Sequence, residues 1–546
     1  MPTLEEFARL IKERAFIESD KTRFALVSER LAGPGQWLFD FRSVILEPRW
    51  LDFVAEAFWK RFADKYPFQV GGAETLGIAL VAAIVMKGVE HGTPVNGFFI
   101  RKSRKRTGLM KNIEGFLNEH PIILVDDIVN SGRTFEKQIV ELTDRKKRVS
   151  DLFTILAFRD ASAYTLARKR NVVLHSLFTL PDFGLKSLSS TPQRSPRREL
   201  EIVWHFQAGS PSFNIVVQKS APVIDETCVY FGDDAGTFRA LDQQTGEVRW
   251  SYEIEKHPRD KGIFSSPALY HGCVYFGGYD GNVYSLSTRD GALRWKFSDA
   301  DWIGSSPSLA PDLGYLFIGL EFGLWKKRGG IVALDMSNGN KIWSAVTEEL
   351  THCSPLYIKE ERAVAIGSND SIAYLYDSKT GAERWRFSAA GNFKTKPAYD
   401  PLRRLILFGS MDGNTYALRA SDGRPIYSFP AGAGIYSTPL VHDDVFYVAS
   451  LDKSLYAVEL DTGKLLWEFQ TAGRIFASPI LADNSLWIGS NDGRLYELDP
   501  KGGSLRSSFQ VSERIVNAVA YNEKSGHLFL PTHANEIYCL KEKEQT

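Results

Sequence analysis

The sequence predicts two domains of different class: an α/β domain with a parallel sheet flanked by helices, followed by an all-β propeller of eight blades. Three observations predict this. Up to about residue 185, helical patterns alternate with short apolar strands, the order that strand–helix–strand units require. From residue 200 onward a unit of roughly 40 to 48 residues recurs, the length of one four-stranded propeller blade. Between them, KSLSSTPQRSPRRE is rich in Ser, Pro and Arg and has no apolar period, which is linker composition. The expected boundaries are therefore 1–185, a linker at 186–199, and 200–546. A chain of 546 residues also exceeds what one core supports.

Composition narrows the function classes. Lys and Arg number 66 and Asp and Glu number 66, so no global field favours nucleic acid or an anionic membrane. The four Cys, at 228, 273, 353 and 539, form no CxxC pair, which argues against a zinc site or a disulfide framework. Reduced thiols in a cytoplasmic protein are the simplest expectation. The N-terminal stretch MPTLEEFARLIKERAF is an amphipathic helix pattern of mixed charge without the apolar centre of a signal peptide. No apolar run is long enough to span a bilayer.

Along the first domain, LDFVAEAFWKRFADKY has apolar residues at three- and four-residue spacing and reads as a helix. FQVGGAETLGIALVAAIVMKGVE reads as strand, Gly turn and apolar helix, and VNGFFIRK as a strand entering a cationic loop. That loop, Arg101 to Arg106, packs five positive charges into six residues. Such charge suits a leaving group whose negative charge grows in the transition state. VSDLFTILAFRD is a further strand, ending at Arg159-Asp160. The most informative stretch is IILVDDIVNSGRTF. Ile122 to Val125 suit a strand buried on both faces. Asp126 and Asp127 follow at its carboxyl end, and Asn130 to Thr134 form a polar turn into a helix. That edge of an open α/β sheet is where ligands bind. Backbone N–H groups at a helix start accept a phosphate, while adjacent carboxylates accept hydrogen bonds from sugar hydroxyls.

This stretch resembles the phosphoribosyl pyrophosphate (PRPP) motif of type I phosphoribosyltransferases, and the order of further features resembles the orotate phosphoribosyltransferase branch. LFDFRSVILEPRWL is similar to that branch's N-terminal hood, Gly71 to Leu80 to its pyrophosphate loop, and IRKSRKRTGLMKNIEG to its mobile catalytic loop. The resemblance implies that Asp126 and Asp127 hold the ribose diol, and that Ser131, Gly132, Arg133 and Thr134 hold the phosphate. It also implies that Arg101 and Lys102 meet the pyrophosphate, that Lys105 and Arg106 act with Asp127 in catalysis, and that Arg159 and Asn130 meet the base. Mg²⁺ is expected with PRPP. A homodimer is expected as well, its loop from Ser103 to Asn112 reaching the neighbour's site. The sequence departs from the branch at several points: LAGPGQW and Leu76 stand where Lys is usual, Lys105 is followed by Arg106 and Thr107 rather than Asp-His, and Asn130 replaces a Thr. Two readings stay open, a transferase acting on an orotate-like base and a catalytically weak PRPP or nucleotide sensor.

In the second domain the repeats begin at Pro222, Pro267, Pro307, Pro355, Pro397, Pro439 and Pro479, with Ala518 in the eighth place. Their aromatic anchors are Trp204, Trp250, Trp295, Trp343, Trp385, Tyr427, Trp467 and Phe509. Trp204 precedes the first proline and the last unit lacks an anchor, so the strand around Trp204 is expected to complete the eighth blade and remove the free edges. ALDQQTGEVRW, AVELDTGKLLW and YDSKTGAERW resemble the quinoprotein-type repeat named for pyrroloquinoline quinone (PQQ). The vicinal Cys pair of quinoprotein dehydrogenases is missing, so no PQQ is expected. The Trp residues read as blade packing, the Asp and Gly as turn residues, and the propeller as a scaffold for a protein partner.

Overall fold

The computed structural model describes residues 2–18, 37–74, 76–101, 113–130, 132–159, 164, 172–185, 199–209, 220–255, 262–324 and 327–543. The chain divides into two compact units, one built on Met1–Gln193 and the other on Arg194–Phe509 and Glu513–Thr546.

In the first unit, helix α1 (Leu4–Leu10) starts at Thr3, whose hydroxyl accepts from the Glu6 N–H (3.1 Å) while the Glu6 carboxylate accepts from the Thr3 N–H (2.9 Å). This reciprocal cap fixes the helix start. Strands β1 (Phe16–Glu18) and β2 (Trp37–Phe39) pair antiparallel, and α2 (Arg42–Ile45) and α3 (Pro48–Phe62) follow. Pro48 sits in the first turn of α3, where its missing N–H costs nothing. The chain continues through β3 (Gln69–Ala73), α4 (Leu76–Glu90), β4 (Asn96–Ile100), β5 (Ile113–Gly115), β6 (Ile122–Val129), α5 (Arg133–Asp144), β7 (Val149–Ala157) and β8 (Val173–Thr179). These six strands form one sheet in the order β5-β4-β3-β6-β7-β8. All neighbours are parallel except the antiparallel edge pair β4–β5. Ile122 to Val125 of the central β6 are fully buried, as expected of a strand covered on both faces. Two strands differ from the sequence reading. β5 lies within the stretch read as the end of the catalytic loop, and β8 follows the last strand that the pattern revealed.

The second unit is eight four-stranded antiparallel sheets, each a meander. The eighth is Ala520–Asn522, His527–Pro531 and Glu536–Glu542, completed by Leu200–Gln207 from the start of the unit. Trp204 stands opposite Cys539, so the closure expected from the repeat is the one observed. One register point is corrected: Val519, not Ala518, immediately precedes the first strand of the last blade, and so takes the place that proline holds in the others.

The Trp and Gly of the repeat form a single latch. Trp343 donates its indole N–H to the Ser378 carbonyl of the next blade (3.0 Å). Trp204, Trp250, Trp295, Trp385 and Trp467 make the same bond to the carbonyls of Gln243, Thr288, Met336, Ala420 and Pro500. Tyr427 substitutes its hydroxyl, donated to the Leu460 carbonyl at 2.7 Å. The Gly of each following turn lies against that ring. Gly381 has φ +72°, and a Cβ there would stand 2.6 Å from Trp343. Gly381→Ala combines left-handed strain with overpacking, so we expect a loss of roughly 2–4 kcal/mol, read by denaturant unfolding of the propeller through Trp fluorescence.

Candidate active site

The carboxyl edge of the first unit's sheet collects the candidate residues. Strand β6 delivers Asp126 and Asp127, both half-buried, directly after its buried apolar run. The Asp127 N–H donates to Asp126 Oδ1 (3.1 Å). The fully buried Thr154 of β7 donates its hydroxyl to the Asp127 carbonyl (3.0 Å), which anchors the backbone of the acid pair to the neighbouring strand. Gly132 caps α5 with φ +77°, a left-handed conformation that Gly adopts without a Cβ penalty. The turn therefore ends with the first N–H groups of α5 unbonded within the helix and ready for an anion. Thr134 is in that first turn and half-buried, and Asn130 lies one residue beyond β6, also half-buried.

Arg159 reaches the same edge from β7. Val129 pairs with Ala157, so Arg159 stands two residues past the paired strand end while Asn130 stands one past its neighbour. Tyr164 braces this corner, donating its hydroxyl to the Val129 carbonyl (2.9 Å) and accepting from the Arg159 N–H (3.2 Å). Next to it, Phe39 packs on Phe158 (6.1 Å between centroids) and on Phe183 (5.3 Å). The hood strand β2 thus lays an aromatic ring beside the base of Arg159.

Asp40 and Arg42 form a two-pronged pair at the same place, with Nε and Nη2 of Arg42 at 2.8 and 3.0 Å from the carboxylate. The hydrogen bond from Arg42 holds the Asp40 carboxyl below the ordinary range despite partial burial. The Asp40 hydrogen bond likewise raises Arg42, and the negative field of Asp127 adds a smaller contribution in the same direction. Arg42, a permanent cation, thus lies close enough to Asp127 to feel its charge.

Arg101 is placed differently from a free pyrophosphate ligand. Its guanidinium lies 3.5 Å from Glu74 and 3.4 Å from Glu114, so two carboxylates already share its charge. Sequence reasoning missed both: Glu114 lies on the unread edge strand β5, and Glu74 lies in the turn after β3. Thr154 and Tyr164 were missed as well, since nothing local marks them. Lys102, Lys105, Arg106 and Ser131, together with the loop 103–112, lie outside the described residues. Arg133 is the first residue of α5, and its side chain also lies outside them.

Among the described residues there is no group of three or more His, Cys, Asp and Glu that could hold a metal ion, and no helix long and apolar enough to cross a membrane. The four Cys are free thiols. Burial pushes the thiols of Cys353 and Cys539 up to about 12, which leaves them un-ionised at neutral pH.

Comparisons with known proteins divide along the same line. Orotate phosphoribosyltransferase of Aquifex aeolicus is 27% identical over 180 residues, which is 33% of this chain and 96% of the relative. The enzyme of the same name from a Bradyrhizobium species is 26% identical over 163 residues, 29% of this chain and 85% of the relative. The structure of BamB from Moraxella catarrhalis matches with TM-score 0.51 at 17% identity, covering 64% of this chain and 99% of that one, a likeness of fold. The family described as outer membrane protein assembly factor BamB matches residues 196–351 and 368–543, well over half the chain. The chain thus belongs, through its eight-bladed propeller, to the PQQ-type family described as outer membrane protein assembly factor BamB, and it carries ahead of that propeller an α/β domain similar to orotate phosphoribosyltransferases.

Proposed function

We propose that the first unit is a PRPP-dependent phosphoribosyltransferase whose acceptor is a flat heterocycle bearing a carboxylate, as orotate does. The observation that carries this is the single sheet edge that presents the Asp126–Asp127 pair, the Gly132-capped start of α5 and Arg159 together. The ring nitrogen of the base gives its proton to solvent and attacks the anomeric carbon of PRPP, the bond to pyrophosphate breaks, and the pyrophosphate takes the electron pair. Asp126 and Asp127 accept hydrogen bonds from the ribose hydroxyls, and the N–H groups of the first turn of α5 with Thr134 hold the ribose phosphate. Arg159 orients the carboxylate of the base, with Asn130 beside it. Lys102, Lys105 and Arg106 meet the pyrophosphate, and Arg101 joins them to the extent that Glu74 and Glu114 release it. Asp126 and Asp127 are hard oxygen donors that would suit Mg²⁺ arriving with PRPP, and the ion would supply positive charge against the leaving group. Positioning and charge carry the rate, with no covalent step on the protein. A homodimer completes this reading. So do a cytoplasmic setting and a propeller that is free of quinone and holds a protein partner.

A second reading, a PRPP or nucleotide sensor with weak catalysis, is favoured by the ion pairs that occupy Arg101 and by Leu76 in the pyrophosphate loop. Pyrophosphate release from PRPP with Mg²⁺ and a panel of bases separates the two. The transferase reading expects release with orotate-like bases and none with uracil, which lacks the carboxylate. Binding of PRPP without release under any base would overturn it in favour of the sensor.

A further inference from the structure

In seven of the eight blades the fourth strand carries exposed residues, as in Leu465–Gln470, so the short first strands at the other edge line the central axis. The residues leading into those first strands follow one rule in all eight blades. Ser220, Ser265, Ser305, Cys353, Thr395, Ser437, Ala477 and Asn517 are buried. The prolines that follow two positions later, and Val519, are buried too. The residue between is half-buried every time: Ala221, Ser266, Ser306, Ser354, Lys396, Thr438, Ser478 and Ala518. Extended chain alternates its sides. The eight in-between residues therefore keep their accessible surface on the side opposite the blade interior, toward the axis.

Their hydrogen bonds define what that axial ring offers. The N–H of Ala221 donates to Ser266 Oγ (2.9 Å), that of Ser266 to Ser306 Oγ (2.9 Å), that of Ser306 to Ser354 Oγ (2.8 Å) and that of Thr438 to Ser478 Oγ (2.9 Å). Each of these Ser oxygens accepts from the neighbouring blade, which leaves its O–H available to donate to a ligand. Lys396 interrupts the ring. It stands where four other blades carry Ser, and the preceding Thr395 has lost the bond its counterparts make: Thr395 Oγ1 is buried without a partner, whereas Ser265, Ser305 and Ser437 accept N–H bonds from Gly277, Gly319 and Ala449. Among the described residues no carboxylate is paired with Lys396, and burial pushes its ammonium below the ordinary value. A partly buried cation of this kind is stabilised by an anion that supplies the opposite charge.

We propose that the propeller axis is a binding site for a small oxyanion, held by the Lys396 ammonium and the inward hydroxyls of Ser266, Ser306, Ser354, Thr438 and Ser478. The eight in-between residues hold a cation and O–H donors and no acid, which selects against metal cations and for phosphate, sulfate or carboxylate groups. Lys394, two residues earlier on the same side of the chain, differs from Lys396 in that the negative fields of Glu321 and Glu349 act on it, and Glu321 is itself paired with His352 at 3.0 Å.

The test compares the full-length protein with its Lys396→Ser and Lys396→Arg variants in low-chloride buffer. Inorganic phosphate, sulfate and acetate are titrated by calorimetry and by thermal unfolding. The phosphate loop of the first unit is the same in all three proteins, so differences report the axis. Wild type is expected to bind and to gain thermal stability with rising anion. Lys396→Ser is expected to lose at least tenfold in affinity and to melt higher than wild type in anion-free buffer. Lys396→Arg is expected to keep binding, which covers the case in which the serine variant fails to fold. A response to phosphate and sulfate alone marks a tetrahedral ligand, and a response to acetate as well marks a carboxylate; either supports the site. Equal responses from wild type and Lys396→Ser, or no response from wild type, overturn it.

Discussion

Replacing both acids, Asp126→Asn with Asp127→Asn, is expected to weaken PRPP binding by about 3–5 kcal/mol, two to three orders of magnitude or more, while the fold is kept. The size follows from two charge-assisted hydrogen bonds to the ribose diol, each contributing roughly 1.5–3 kcal/mol. The fold is kept because the pair is only half-buried, and because the backbone bond from Thr154 to the Asp127 carbonyl does not depend on the carboxylates. The substitution also removes the field that Asp127 exerts on Arg42, but the Asp40 pairing of Arg42 remains. Calorimetric titration with PRPP, beside a circular dichroism melt, separates lost binding from lost structure.

The second large effect is on the acceptor. Arg159→Ala is expected to cost about 2–4 kcal/mol in acceptor binding, the usual loss when one member of a close charge pair is truncated, while PRPP affinity stays within about twofold. The guanidinium matches a carboxylate with two parallel N–H bonds, which Lys cannot reproduce. Arg159→Lys should therefore recover only part of the loss. In steady-state kinetics the change should fall mainly on KM for the base. If PRPP affinity and base affinity fall together, the Arg159 side chain is shaping the whole edge rather than meeting the base, since its backbone bond to Tyr164 survives the substitution.

What could be read from the sequence is what is local. The acid strand, polar turn and helix are contiguous from Ile122 to Asp144, so their order alone places the carboxylates at a ligand edge. The propeller was legible because its unit recurs with the same spacing, and its closure because Trp204 had no blade of its own and the last unit no anchor. The parts that escaped are non-local. β5 is three residues long and pairs antiparallel beside β4 across an intervening loop, which no periodicity announces. The ion pairs of Arg101 escaped the sequence reading because its partners Glu74 and Glu114 are 27 and 13 residues away in sequence. The repeat's Trp and Gly were assigned separately to packing and to turns. Only the structure unites them, since each of these Gly meets the Trp of the preceding blade, or Tyr427 in the case of Gly463. The unusual residue Lys396 was visible all along, but its significance depends on knowing that its seven counterparts surround one axis.

The central claim is that the carboxyl edge of the first sheet is a PRPP site. It is tested most directly by titrating PRPP, with Mg²⁺, into the full-length wild-type protein and following binding by calorimetry. The account predicts saturable one-to-one binding per chain, competed by pyrophosphate together with ribose 5-phosphate and abolished in the Asp126→Asn, Asp127→Asn protein. Failure of wild type to bind PRPP at millimolar concentration, or unchanged binding in the double variant, would contradict it.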